Sequence, residues 1–192
     1  MSFQPGDHVV YPGYGAGTII AIEDKEFTGT ITRYYMLKMV ADEGEFMVPT
    51  DNAEFLGIRG VVEREAIWAV LGASPGDLPE DYKERQAGIS QLLSTSHALN
   101  MSQGARDTAR FAGFRTPTGR DVQLYEELQT LLASELALAE DISLEDARDR
   151  LALVLAAITE AAALEKAERE RIEQEKADQE AASEALAGST AP

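Results

Sequence analysis

The sequence predicts an α+β protein, with a small, strongly bent antiparallel sheet first and an all-helical region after it. Two observations carry this. Up to about residue 60, short β-branched and aromatic runs alternate with glycine-rich turns; from Val61 onward β-branched residues thin out and apolar residues recur at helical spacing. The 192 residues allow one large domain or two small ones. The change of texture near Gly60 divides them into a β-domain over 1–60, a helical domain over 61–162 and an acidic tail over 163–192.

Strand-length runs fall at 7–11 (DHVVY), 17–22 (TIIAIE), 32–40 (TRYYMLKMV) and 45–49 (EFMVP), with turn-formers between them. Gly13 and Gly15, Gly29 and Gly44 punctuate the meander, and Pro49 closes the last run. A sheet of this size is near the lower limit for independent folding, so it is expected to lean on the helical region.

The first helix carries Ile67, Trp68, Val70 and Leu71 and stops at Gly72, with Trp68 expected to pack in the core. A second helix is expected from about Pro79 to His97, and a third capped by Asn100 or Ser102 and ended by the RTPTGRD turn. The fourth, VQLYEELQTLLASELALAE, repeats leucine at 124, 128, 131, 132 and 136 and runs to about Glu140. Ser143 to Asp146 resembles a capping box with Asp in place of Glu, opening a fifth helix through Leu151, Val154, Leu155 and Ile158. Beyond about Ala163 helix formers persist without an apolar stripe, so the tail is read as either a lone helix or a frayed one.

Thirty-four acidic against seventeen basic side chains give a formal charge of −17, which opposes non-specific attraction to phosphate backbones or anionic lipid. Acids outnumber bases in every third of the chain, 9 to 4 over 1–60, 12 to 7 over 61–140 and 13 to 6 over 141–192, so any contact with nucleic acid must be local. With no cysteine the chain forms no disulfide and no thiolate metal site. No run of about 18 apolar residues appears, and MSFQPGDHVV lacks the basic and apolar regions of a leader. A cytoplasmic protein that neither spans nor binds a membrane is expected.

Catalysis is not expected. His8 and His97 fall in different domains without neighbours at metal-ligand spacing, so neither a metal site nor a triad can be built on them, and no cofactor is implied. The glycine-rich PGYGAG segment joins two strands and opens no helix, so it reads as a β-turn and lacks the geometry of a phosphate cradle.

The opening FQPGDHVVYPGYGAGTIIAIE, followed by YYMLKMV and MVPTDNAEFLGIR, resembles the RNA-polymerase-interacting domain of the CarD/CdnL family of bacterial transcription regulators. A shorter echo, SELALAED at 134–141, resembles the end of a helix in that family's C-terminal domain. The resemblance covers about a third of the chain closely, the helical region more loosely, and excludes the tail. It implies a Tudor-like β-domain that docks on the polymerase β subunit, and a helical domain that meets promoter DNA at the upstream edge of the melted region. There, in the family, an aromatic wedge enters the minor groove and stabilises the open complex.

Carried over to this sequence, the wedge position falls on Tyr82 in PEDYKERQ, where the family has Trp, with Lys83 and Arg85 beside it. Arg106, Arg110, Arg115 and Arg120 form the one basic concentration; Arg106 and Arg110 share a helix face and are candidates, with Arg115, for phosphate contacts. On the polymerase side Lys25 matches a basic position in the loop after the second strand, and Met47 replaces another basic residue. Docking is therefore expected to rely on shape and strand-edge pairing, and at least one of Tyr34 and Tyr35 to face outward because strand faces alternate. Free DNA binding is expected to be weak. The rival readings are a divergent paralogue that binds polymerase without touching DNA, and the docking domain of a transcription-repair coupling helicase, which lacks support because the chain has no P-loop. Oligomeric state is not readable.

Overall fold

The structure is a computed structural model that describes residues 2–42 and 44–188, with side chains to residue 182. The last four residues of the expected tail, 189–192, lie outside the described residues. Strands β1 (His8–Tyr11), β2 (Gly15–Phe27), β3 (Thr30–Met39), β4 (Glu45–Pro49) and β5 (Arg59–Gly60) precede helices α1 (Arg64–Leu71), α2 (Tyr82–Thr95), α3 (Ala98–Phe114), α4 (Gly119–Glu140) and α5 (Leu144–Gly188). The architecture is α+β, with one five-stranded antiparallel sheet of order β4-β3-β2-β1-β5 preceding the helices.

The β2–β3 hairpin is longer than the apolar runs indicate, because polar residues continue both strands beyond the core. It closes at Thr28 and Gly29, whose φ values of 51° and 78° suit the two-residue turn that matches strand twist. A bulge between Ile19 and Ala21 leaves Ile20 as the extra residue. This switches the core-facing positions of β2 from Gly17 and Ile19 to Ile22, so Ile22, Tyr35 and Val48 form one inward row. Val9, Ile19, Tyr35, Leu37, Met39, Val48, Ala53 and Ile58 make the sheet's own small core.

The helical core is larger and centres on α4, whose Leu124, Leu128, Leu132 and Leu136 are almost wholly buried against Ile67, Leu71, Ile89, Met101 and Leu151 of the other helices. Trp68 packs at its border, with the indole N–H donated to Glu140. The third helix begins earlier than expected: His97 takes the cap position, and Ser102 is buried with its hydroxyl donated to the Ala98 carbonyl. The second begins later, at Tyr82, because Asp81 accepts the N–H groups of Lys83 and Glu84 and caps it. Ser143 and Asp146 form the anticipated pairing at the head of α5, and α5 continues as helix to Gly188.

Sheet and helices meet where α4 lies against the start of β2. Gly15, Ala16 and Gly17 are all buried there, and the Ala16 N–H donates to the Ser134 hydroxyl at 2.9 Å. Gly15 has φ +94°, and a Cβ on it would stand 2.8 Å from Ser134 Oγ and 3.3 Å from Leu131 Cδ2. Gly15→Ala is thus expected to cost about 3 kcal/mol, from backbone strain and from pushing α4 off the sheet. Gly29→Ala, at φ +78° with nothing within 4 Å, should cost only about 1 kcal/mol. Urea unfolding measures both, and equal losses would deny that α4 is seated on β2.

Candidate functional site

Cross-strand partners share a face, which sorts the residues of the sheet without ambiguity. On the outer face Ala21, Met36 and Met47 form one row and Glu23, Tyr34 and Pro49 the next. Lys25 opposite Thr32, and Phe27 opposite Thr30, continue that face toward the hairpin tip. The structure therefore brings Lys25, Tyr34 and Met47 together. Met47 is 48% exposed and Phe27 52% exposed, and Phe27 meets Tyr34 edge to face at 6.1 Å. Lys25 lies within β2, not in a loop after it, and pairs with Glu23.

Tyr35, expected among the polymerase-facing residues, does not belong to this face. It is 4% exposed in the sheet core, its hydroxyl accepts the Phe3 N–H at 3.2 Å, and its ring stands edge-on to Phe3. Alternation puts one of two neighbouring tyrosines outward, and the bulge and the Ile22–Val48 pairing determine that it is Tyr34. Strand β4 is the sheet edge beside Met47, so among the described residues its outward backbone groups have no strand partner. Sequence reading missed Phe27 at the hairpin tip and Phe55, 88% exposed in the turn after β4, as well as the exposed Tyr14 in the β1–β2 turn. An aromatic flanked by acids and a Thr-Gly turn was the available signal for the first, and a lone aromatic in a polar turn for the second.

In the helical region Tyr82 is the first residue of α2, 51% exposed, with the Lys83 ammonium 5.9 Å from its ring centre. The arginines expected to join it at a DNA surface are differently placed. Arg85 is 4% exposed; its Nη1 donates to the Pro79 and Glu80 carbonyls at 2.9 and 3.1 Å, and its Nη2 to Asp121 at 2.8 Å, while the guanidinium lies over the Phe111 ring at 4.3 Å. Arg106 is also buried, donating to Asp107 and to the Val70 carbonyl, and Asp107 in turn accepts the Gly76 N–H. Arg110 pairs with Asp77 at 3.0 Å and Glu165 at 2.6 Å and stacks on Phe114. Arg115 is exposed and paired with Glu80 at 2.5 Å. Arg85 and Arg106 thus present no guanidinium to a partner, because burying an arginine requires spending its donors on carboxylates and carbonyls.

The four arginines act together in another way. Arg106 with Asp107 holds Gly76, Arg110 holds Asp77, Arg115 holds Glu80, and Arg85 holds the Pro79 and Glu80 carbonyls. All of these grip the connection between α1 and α2, the segment that presents Tyr82.

Asp121 anchors the arrangement. Burial opposes its ionisation, yet hydrogen bonds from Arg85, Thr118 and Gln86 prevail and hold its carboxyl well below the usual range. Burial, with the Asp121 charge nearby, raises the Tyr125 hydroxyl to about 12. Among the described residues no group of three or more His, Asp or Glu is placed to hold a metal ion, and no helix is long and apolar enough to cross a membrane.

An open sheet face with an edge strand, followed by helices that present the exposed Tyr82, is the geometry of an interaction module. Residues 3–62 match the family model described as the CarD-like/TRCF RID domain. Over 146 residues the chain is 29% identical to the "Putative transcription factor YdeB" of Bacillus subtilis (strain 168), an alignment covering 73% of this chain and 94% of that protein. Both matches support the resemblance to the CarD/CdnL family, with the sheet as a CarD-like domain.

Because Asp121 is depressed, the fold favours its ionised form. Its contribution is complete above the ordinary carboxylate value of about 3.9 and is lost as pH falls through the lowered value. Acid unfolding monitored by circular dichroism should steepen below about pH 4. Asp121→Asn should flatten that limb and lose about 3 kcal/mol at neutral pH, since Arg85 is then buried without its counter-charge. An unchanged acid limb would deny the pair this role.

Proposed function

We propose that the protein is a cytoplasmic transcription regulator that docks on the β subunit of bacterial RNA polymerase through residues 1–60. Tyr82, at the head of α2, then stabilises the open promoter complex at the upstream edge of the melted DNA. The observation that carries the docking reading is the convergence of Met47, Tyr34, Phe27 and Lys25 on one solvent-facing side of the sheet, next to the free edge of β4. Edge pairing supplies affinity through backbone hydrogen bonds and the flanking side chains supply selectivity. Met47 gives that surface an apolar contact, and Lys25 a charge tempered by Glu23.

For DNA, Tyr82 offers a ring held on a braced segment, suited to partial insertion at an unstacked step. Lys83 is the exposed cation beside it. Arg115 and Arg110 reach a phosphate only by giving up Glu80, Asp77 or Glu165, and the molecule as a whole carries −17. DNA contact is therefore productive once polymerase docking supplies a high effective concentration.

The ion pairing of Arg85, Arg106, Arg110 and Arg115 favours one second reading, a polymerase-binding module that makes no DNA contact. A single substitution separates the two. In the full-length protein Tyr82→Ala should shorten the half-life of the open complex at least ~fivefold while leaving β-lobe affinity intact, the loss corresponding to about 1 kcal/mol of stacking. An unchanged half-life selects the second reading.

Docking itself is tested with Met47→Glu, which should weaken binding of the full chain to a purified β lobe by roughly tenfold or more, about 1.4 kcal/mol. Fluorescence anisotropy of the isolated protein with promoter duplex at physiological salt should give no better than micromolar affinity. Tight binding there would overturn the account of tethering.

A further inference from the structure

Helix α2 is held at both ends. Its N-terminal approach is gripped by the four arginines, and its C-terminal cap is tied to the sheet by a separate network centred on Glu135. This glutamate of α4 is 0% exposed. Its Oε1 accepts Arg59 Nη1 at 2.6 Å and its Oε2 accepts Nη2 at 2.8 Å, a bidentate pair between α4 and strand β5. Oε1 also accepts the Val62 N–H at 3.0 Å, in the connection from sheet to helices.

Arg59 reaches further. Nη2 also donates to the Ser96 carbonyl at 2.5 Å, and Ser96, in the left-handed conformation at φ 46°, is the C-cap of α2. The Ser96 hydroxyl accepts the Gly13 N–H at 3.0 Å, from the β1–β2 turn, and donates to the Leu93 carbonyl within α2. One carboxylate and one guanidinium therefore join β5, α4, the interdomain connection and the base of α2, with Ser96 adding the β1–β2 turn.

A buried ion pair of this kind adds little net stability over apolar residues of similar volume, because desolvating the charges offsets their attraction. What it adds is direction. Apolar surfaces slide over one another, whereas a bidentate guanidinium–carboxylate pair fixes both distance and angle.

We propose that Glu135 and Arg59 are positioning residues that hold the sheet and α2 as one rigid body, so that the surface docked on polymerase determines where Tyr82 points. What is coupled rests on the proposed function above; the coupling itself rests on geometry and is tested without polymerase.

The chain contains no cysteine, so His8→Cys in β1 and Ser90→Cys in α2, both exposed, accept a pair of spin labels without background. Pulsed dipolar spectroscopy on the full-length doubly labelled protein should give one narrow distance distribution. Glu135→Gln, which keeps the shape and removes the charge, should broaden it at least ~twofold with far-UV circular dichroism unchanged. The double variant Arg59→Met/Glu135→Met, which leaves no unpaired charge to unfold the protein, should broaden it similarly. In polymerase assays Glu135→Gln should keep β-lobe affinity within ~twofold and shorten the open-complex half-life at least ~fivefold. A distribution that stays narrow in both variants overturns the coupling. Broadening with an unaltered half-life overturns the positioning role. Failure of the parent protein to bind the β lobe would refute the proposed function instead, and the distance measurement would still decide whether the two domains are locked.

Discussion

Glu135 carries its charge into a place that water does not reach, and the fold tolerates it there only because Arg59 meets both carboxylate oxygens and the Val62 N–H supplies a third donor. Removing either charge would strand the other, at a cost far above that of an exposed pair. The N-terminal region of about sixty residues that carries the sheet has a core of a few side chains, too little to be secure alone. It therefore leans on α4 through the Ser134 hydroxyl and the close approach at Gly15, while the ion pair fixes how the two are set. The pieces that give the molecule its surfaces, the outer face of the hairpin and the head of α2, are far apart in sequence and are related to one another through this seam.

Much of the architecture is readable from the residues. Glycine-punctuated apolar runs locate four strands, and the leucine repeat of α4 and the Ser143–Asp146 signature locate helices, because each depends on local chemistry. Strand β5 escapes because two residues, Arg59 and Gly60, have no pattern; they are a strand only because β1 lies beside them. The bulge at Ile20 escapes for a related reason. Nothing in TIIAIE distinguishes a regular strand from one with an extra residue, yet that residue decides that Tyr35 is buried and Tyr34 is not. The composition of the tail suits a lone helix or a frayed chain, and helical propensity prevails, supported by exposed pairs such as Arg169 with Glu165 and Arg171 with Glu168.

The basic residues show where sequence reading fails physically. Arg106 and Arg110 do share a helix, and Arg115 lies close behind, so linear proximity suggests a basic face. Their partners, Asp77, Glu80, Asp107 and Glu165, are mostly distant in sequence, and only the packing of α3 against the α1–α2 connection and α5 brings them within reach. In so acidic a chain most cations among the described residues find a carboxylate. The arginines then serve as internal braces, and the surface they support is dominated by an aromatic ring.

Helix α5 has a consequence of its own. It keeps contact with α3 as far as Arg169, which lies over the Phe114 ring, and then continues to Gly188 as a rod of roughly 30 Å at 1.5 Å per residue. A molecule of 20.8 kDa with such a spur sweeps out the hydrodynamic volume of a considerably heavier sphere. On any large assembly it would keep neighbouring molecules at arm's length along that axis, whichever surface of the protein is engaged.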